Sequence, residues 1–248
     1  MSVNVVLTRE AGHNDVERAW LPDDANVVEV PLTATKYFSL EDVARELEAC
    51  VYRGSFRALV VTSARAADYV SVARGSLAPG AQILVVGPAT ARALADRGIG
   101  VTALAPSRAV EIADSISSGP VLQLGASEMR DELATELAAR HIATERVACY
   151  ETLPLELDGI DRAVLASADV VLIGAPSAWS VARAYVGPDA WVVVPGATTA
   201  AAVRAHHVRV LENWGPQLRA TLAALSSWTP EAHPGSGAEP SPGGAADT

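Results

Sequence analysis

Val85-Val-Gly-Pro-Ala-Thr-Ala-Arg-Ala-Leu-Ala-Asp-Arg-Gly-Ile-Gly-Val101 is answered later in the chain by Val192-Val-Val-Pro-Gly-Ala-Thr-Thr-Ala-Ala-Ala-Val-Arg-Ala-His-His-Val-Arg-Val210. Each copy reads as an apolar strand, a Gly/Pro turn carrying threonine, an alanine-rich helix and a further apolar strand. The repeat predicts two similar α/β units. It also directs the search for function to the turns that the two copies share.

Working outward, strands are expected at 3–7, 27–32, 58–61, 83–86 and 101–104, and again at 121–124, 146–152, 170–173, 191–194 and 208–211. Helices are expected between them. Ser39-Leu-Glu-Asp42 is a capping box that starts one running to about Cys50. Others follow Thr62-Ser-Ala-Arg65 to about Val72, span 109–117, and run from Gly174-Ala-Pro-Ser177 through Tyr185. Pro88 suits a first helical turn, where its missing N–H costs nothing, and Gly98 suits a C-terminal cap. Met129, Leu133 and Leu137 form a helical stripe after Ser127, and Leu218, Leu222 and Leu225 another after Pro216. Strands alternating with helices in this way mean parallel sheets flanked by helices on both faces.

The 248 residues suit two domains of a little over a hundred each, and half of them are hydrophobic, enough for two cores. No apolar run approaches the ~20 residues that span a bilayer. The opening Met1-Ser-Val-Asn-Val-Val-Leu lacks the features of a signal peptide and reads as a first strand. A cytoplasmic protein with no membrane partner is expected, its Cys50 and Cys149 being buried reduced thiols. Twenty-nine acids against nineteen bases give a charge of −10, which argues against nucleic acid as a partner. The tail 229–248, rich in Gly, Pro, Ser and acids, is expected to be disordered.

In parallel α/β sheets, ligands bind beyond the C-terminal ends of strands. Five turns occupy such places: Thr8-Arg9, Thr62-Ser-Ala-Arg65, Gly87-Pro-Ala-Thr90, Gly174-Ala-Pro-Ser177 and Gly196-Ala-Thr-Thr199. Helix N-termini with free N–H groups and hydroxyls can hold anions, although any single Ser or Thr there can equally be an ordinary cap. Four matched turns point to a ligand with several anionic groups. Arg9 and Arg65 add positive charge, and Arg92 and Arg130 read equally as surface residues. Phosphate-binding glycine motifs and the Gly-x-Ser-x-Gly nucleophile pattern do not occur. His206-His207 reads as a polar helix end, and no metal site is expected.

The segments Val60-Val-Thr-Ser-Ala-Arg-Ala66, Val85-Val-Gly-Pro-Ala-Thr-Ala-Arg-Ala-Leu94 and Cys149-Tyr-Glu-Thr152, followed by Ala175-Pro-Ser177 and Gly196-Ala-Thr-Thr-Ala200, resemble the uroporphyrinogen-III synthase family in order and spacing. The resemblance covers roughly residues 3–225. Departures fall in turns: Leu124-Gly125 for a frequent Arg-Gly, Gly174-Ala175 for the usual Thr-Ser, and Pro195-Gly-Ala for Ile-Gly-Pro.

The resemblance implies an enzyme of tetrapyrrole biosynthesis that needs no cofactor. It closes hydroxymethylbilane, a linear polycarboxylated tetrapyrrole, into uroporphyrinogen III with inversion of the terminal ring, by way of an azafulvene and a spiro intermediate. It further implies that Arg9, Thr62, Ser63, Arg65, Gly87, Thr90, Ser177, Thr198 and Thr199 contact substrate. Tyr150 takes the catalytic place, its phenol giving a proton or hydrogen bond to the departing hydroxyl.

The implied layout is discontinuous: 1–30 with 155–228 as one domain, 36–145 as the other, 31–35 and 146–154 as linker strands, the whole a monomer. Periodicity alone divides the chain in tandem near residue 119. Two alternatives stand beside the synthase: a paralogue with another substrate, and a non-catalytic module that binds tetrapyrroles or other polyanions.

Overall fold

A computed structural model describes residues 2–106 and 108–226. The expected disordered tail lies outside the described residues, as does the side chain of Leu225. The first strands are β1 (Asn4–Leu7), β2 (Asn26–Glu29), β3 (Thr33–Tyr37), β4 (Phe56–Val61), β5 (Leu77–Val86) and β6 (Ala103–Ala105). They are followed by β7 (Val121–Ala126), β8 (Thr144–Pro154), β9 (Val170–Leu172), β10 (Trp191–Val194) and β11 (Val210–Glu212).

Two sheets result, ordered β11-β10-β9-β1-β2 and β3-β8-β7-β4-β5-β6. The chain lays down β1 and β2, builds the whole six-stranded sheet, and returns to complete the first. Every pairing is parallel except β3 with β8, where Thr33 faces Pro154 and Tyr37 faces Tyr150 in antiparallel register. That antiparallel pair falls on the stretches expected as the two linker strands, 31–35 and 146–154.

Alternation along the central strands explains why both faces are covered. On β4, Leu59 and Val61 join Val43, Leu47, Ala66 and Val70 on one face. Ala58 and Val60 meet Ile112, Leu133 and Leu137 on the other. On β1, Val6 packs with Leu165, Trp179 and Val203, while Val5 and Leu7 pack with Leu21, Leu218 and Leu222. Side chains that alternate across a strand and are apolar on both sides demand helices above and below. Fully burying each such Leu or Val contributes about 2 kcal/mol.

Several expected elements are corrected. The strand expected at 27–32 ends at Glu29; Pro31 has no N–H to extend a ladder, and the chain restarts at Thr33 on a new neighbour, β8. The helix after Thr62-Ser-Ala-Arg65 is a 3-10 turn, Ala64–Tyr69, passing into a short α-helix, Val70–Ala73. Residues 109–117 likewise give a 3-10 helix, Ala109–Ser115. Met129 precedes its expected helix, which is Glu132–Ala139, so only Leu133 and Leu137 of that stripe are helical.

The helix Gly159–Ala166 was not anticipated, although Asp158 caps it by accepting from the N–H groups of Ile160 and Asp161, each at 2.8 Å. Cys149 is buried but Cys50 is only half-buried, and both thiols are free. His207 is not a polar helix end: it is buried against Trp179, its ring Nε2 2.8 Å from the Ala190 carbonyl oxygen. Ser39 does cap its helix, Leu40–Ala49, accepting from the Asp42 N–H at 3.0 Å.

Candidate functional site

Each sheet has one place where the strand order reverses direction along the chain. In the five-stranded sheet it lies between β1 and β9, and in the six-stranded sheet between β4 and β7. At such a point the turns leave on opposite faces and open a crevice beyond the strand ends. Thr8, Arg9, Gly174 and Ala175 follow β1 and β9; Thr62 and Ser63 follow β4, and Gly125-Ala126 ends β7. Both crevices hold cavities.

Three cavities share walls. The first, about 290 Å³, lies at the β4/β7 crevice and is bounded by Thr62, Val86, Gln123, Arg130 and Tyr150 among others. The second, about 580 Å³, takes over at Thr62 and Val86 and reaches Ser63, Arg65, Gly87, Thr90 and Arg9. The third, about 240 Å³, takes over at Arg9 and Arg65 and ends at Thr152, Gly174 and Ser177 beside the β1/β9 crevice. Together they run from the strand ends of one sheet to those of the other.

The middle of this run is electrostatically organised. The Arg65 guanidinium lies 5.8 Å from the Tyr150 ring centroid and 3.3 Å from a Glu10 carboxylate oxygen. Glu10 also accepts from the backbone N–H and hydroxyl of Thr35, at 2.9 and 2.8 Å. Burial pushes the Glu10 carboxyl upward, but the two Thr35 bonds and the Arg65 charge outweigh it and hold its pKa below the ordinary value. Arg9 pairs with buried Glu17 at 2.7 Å. Both arginines can still meet an anion, since a guanidinium has five donors and one carboxylate uses few of them.

Of the residues expected at a site, Thr62, Ser63, Arg65, Gly87, Thr90, Arg9, Ser177 and Tyr150 all line this run of cavities. Their roles within it differ. The Ser63 hydroxyl accepts from the Arg65 N–H at 3.3 Å, so it serves as a cap. Thr62 donates its hydroxyl to the Leu124 carbonyl at 3.2 Å. Gly87 sits at φ 78°, which favours glycine, and its N–H is already given to the Ala105 carbonyl at 2.8 Å.

Thr198 and Thr199 line none of the three cavities; they open the helix Ala197–Arg204, and Thr199 is buried. Arg130 borders the first cavity, whereas Arg92 is exposed on the helix Pro88–Ala95 and borders none.

Tyr150 is 6 % exposed, packs against Tyr37 with ring centroids 6.2 Å apart, and borders the first cavity. Two residues of the site were not foreseen. Glu10 gives no motif, and only its position after Thr8-Arg9 hints at a role. Gln123 lies inside an apolar strand, where a lone amide is the one available signal. No group of three or more His, Cys, Asp or Glu residues able to hold a metal occurs among the described residues. None of their helices is long and apolar enough to cross a membrane.

A model of the family described as uroporphyrinogen-III synthase HemD matches residues 22–220. Among solved structures, the chain is similar to a mutant uroporphyrinogen III synthase from the extremely thermophilic bacterium Thermus thermophilus. That likeness has a TM-score of 0.64 at 18 % identity, covering 92 % of this chain and 100 % of the other. It is also similar to the uroporphyrinogen-III synthetase of Helicobacter pylori, with a TM-score of 0.58 at 20 % identity over 91 % and 99 % of the two chains. At these identities the structures speak for the fold. No curated protein matches the chain.

Proposed function

The chain belongs to the uroporphyrinogen-III synthase family, lyases of porphyrin and heme biosynthesis that act on a small-molecule tetrapyrrole, and from that premise we propose that it converts hydroxymethylbilane to uroporphyrinogen III in the run of three cavities. The observation that carries this reading is the run itself. It joins two strand-end crevices, passes Arg9 and Arg65 at its centre, and is bordered by Tyr150. A long flexible ligand with carboxylates along its length matches such a trough better than a compact one does.

In this reading the two sheets belong to two domains, 1–30 with 155–228 and 36–145. The strands around 31–35 and 146–154 connect them, and substrate lies between. Arg9, Arg65 and the turn residues Thr62, Ser63, Gly87, Thr90 and Ser177 hold carboxylate arms and fold the chain so that its ends meet, a gain of proximity. Thr198 and Thr199 would join them only from outside the three cavities. Tyr150 gives its proton to the departing hydroxyl. The resulting azafulvene attacks the substituted carbon of the terminal ring, and the spiro intermediate opens and recloses inverted. A charge of −10 opposes a polyanion at long range; Arg9 and Arg65, each already paired with a glutamate, would meet its carboxylates through their remaining donors.

The test is to supply hydroxymethylbilane freshly formed by its synthase and to resolve the uroporphyrin isomers after oxidation. Isomer III is the expected product. Isomer I alone, which forms spontaneously, would overturn the reading.

A further inference from the structure

Gln123 stands out among the buried polar side chains. It lies in β7 between Leu122 and Leu124, is 2 % exposed, and its Oε1 has no hydrogen-bond partner. Leu122 and Leu124 point to one face of the sheet, so the alternation of a strand turns Gln123 to the other. There it borders the first cavity with Val86, Leu133 and Met129, while Tyr150, which packs with Leu122 and Leu124 and pairs with Ala126 at the end of β7, borders the same cavity. A buried acceptor with no partner has lost its water without gaining a bond in return, a net cost to the fold. A side chain that carries such a cost on the wall of a cavity is placed to receive a donor from a ligand.

The rest of the wall defines that ligand. The cavity, at about 290 Å³, suits one substituted ring and not a whole tetrapyrrole. Val86, Ala109 and Leu133 supply apolar wall beside the polar side chains of Thr62, Gln123 and Tyr150. Arg108 is already paired with Glu132 at 2.9 Å, and Glu128 and Arg130 add one charge of each sign to the lining, so its formal charges cancel. It therefore suits a flat ring that carries polar substituents and an N–H donor. A pyrrole ring is such a group.

We propose that this cavity seats the hydroxymethyl-bearing ring of the bilane, with the Gln123 amide oxygen accepting the ring N–H beside Tyr150. The proposal rests on the synthase reading and makes Gln123 a second residue of the chemical step. As the C–O bond breaks, its electron pair leaves with oxygen, which takes the Tyr150 proton and departs as water. The ring nitrogen's lone pair then fills the electron-poor carbon, and the N–H becomes a far stronger donor. An acceptor fixed on that N–H stabilises the cation more than the starting ring, so it lowers the barrier. The phenolate regains a proton when the carbon that closes the macrocycle gives up its hydrogen and re-aromatises.

The variants Gln123→Leu and Gln123→Met remove the acceptor while keeping bulk. Losing an unpaired buried amide should leave Tm unchanged or raise it. Isomer III formation should fall by about tenfold to a hundredfold in kcat, as for a bond to a developing charge, with KM within about twofold of wild type. Combined with Tyr150→Phe, the losses should be less than multiplicative, since both groups serve one departure.

Wild-type protein that makes only isomer I would sink the synthase reading itself. Wild-type protein that makes isomer III, with either folded variant keeping its full kcat, would overturn the role of Gln123 and leave the synthase reading standing. Should Gln123→Leu fail to fold, Gln123→Met decides the question, its unbranched chain adapting to the same space.

Discussion

The Glu10 carboxylate reaches Arg65 at 3.3 Å from the end of the first strand, across the junction between the two sheets. The chain thus supplies its own carboxylate to the guanidinium proposed to receive one from substrate. Thr35 holds that carboxylate through two hydrogen bonds, so an incoming anion competes with Glu10 for part of the Arg65 donor set.

Replacing Glu10 with Gln should therefore tighten substrate binding while loosening the fold. With both side chains partly exposed, the lost pair is worth about 1 kcal/mol of stability, read as a lower denaturation midpoint. The freed guanidinium should lower KM by about fivefold at low ionic strength, with the gain shrinking as salt rises. A KM that does not fall at low salt would show that Arg65 meets no substrate carboxylate.

The same carboxylate sets a pH dependence. Its folded pKa lies below the ordinary value of 4.5, so the unfolded chain takes up its proton first as pH falls. Its contribution is complete above about pH 5 and is lost as pH drops through the depressed folded value. Glu29, held low by the Arg18 hydrogen bond against burial and with Asn14 assisting, acts in the same direction. The gap between the urea midpoints of wild type and Glu10→Gln should narrow as pH falls below the ordinary carboxyl value of 4.5. A gap that persists undiminished at pH 3 would contradict this account.

Arg65→Ala removes the centre of the trough. It should raise KM by about tenfold or more, the worth of a charge-assisted bond, and the effect should be largest in dilute buffer. Arg65→Lys keeps the charge but not the planar fork, so it should recover only part of the loss. Equal KM for wild type and Arg65→Ala at both low and high salt would remove Arg65 from the site.

How much of this was legible in the sequence differs by residue. The two matched strand–turn–helix segments around Gly87-Pro88 and Gly196 declare α/β units because apolar period and turn chemistry are local properties. The departure of β3 from the path of β2 hinges on Pro31, and only the family resemblance, not any local pattern, set 31–35 beside 146–154 as linker strands. Arg65 was visible from its motif, but its engagement by Glu10 is a contact across fifty-five positions that no local pattern encodes. Gln123 was missed for the opposite reason: in an apolar strand it reads as a blemish, and only the cavity beside it gives the amide a use. Thr198 and Thr199 were expected from their likeness to the Thr90 turn, and they open the helix Ala197–Arg204 outside the three cavities.

Gly125 ends β7 at a crowded point. A Cβ there would lie 2.6 Å from the Thr62 hydroxyl oxygen and 2.9 Å from the Met129 sulfur. Met129 can move, but Thr62 is tied to the Leu124 carbonyl at 3.2 Å. Gly125→Ala should therefore cost about 1–3 kcal/mol of stability, the usual range for overpacking, and should disturb the wall shared by the first and second cavities. An unchanged Tm together with unchanged KM would mean that Thr62 yields freely.

Tyr150 gives the sharpest test of chemistry. Its ring is fixed by Tyr37 and by the Arg65 guanidinium, contacts that need only the aromatic face. Its hydroxyl makes no hydrogen bond to any described residue, so Tyr150→Phe removes nothing that the fold uses and Tm should move by less than about 0.5 kcal/mol equivalent. If the phenol donates to the departing hydroxyl, kcat for isomer III should fall by about a hundredfold or more, the usual worth of a positioned acid, with KM little changed. Isomer I should then accumulate as unreacted bilane closes by itself. A variant that turns over at the wild-type rate would reduce Tyr150 to a packing residue and leave the reaction to substrate folding and the groups around Arg65.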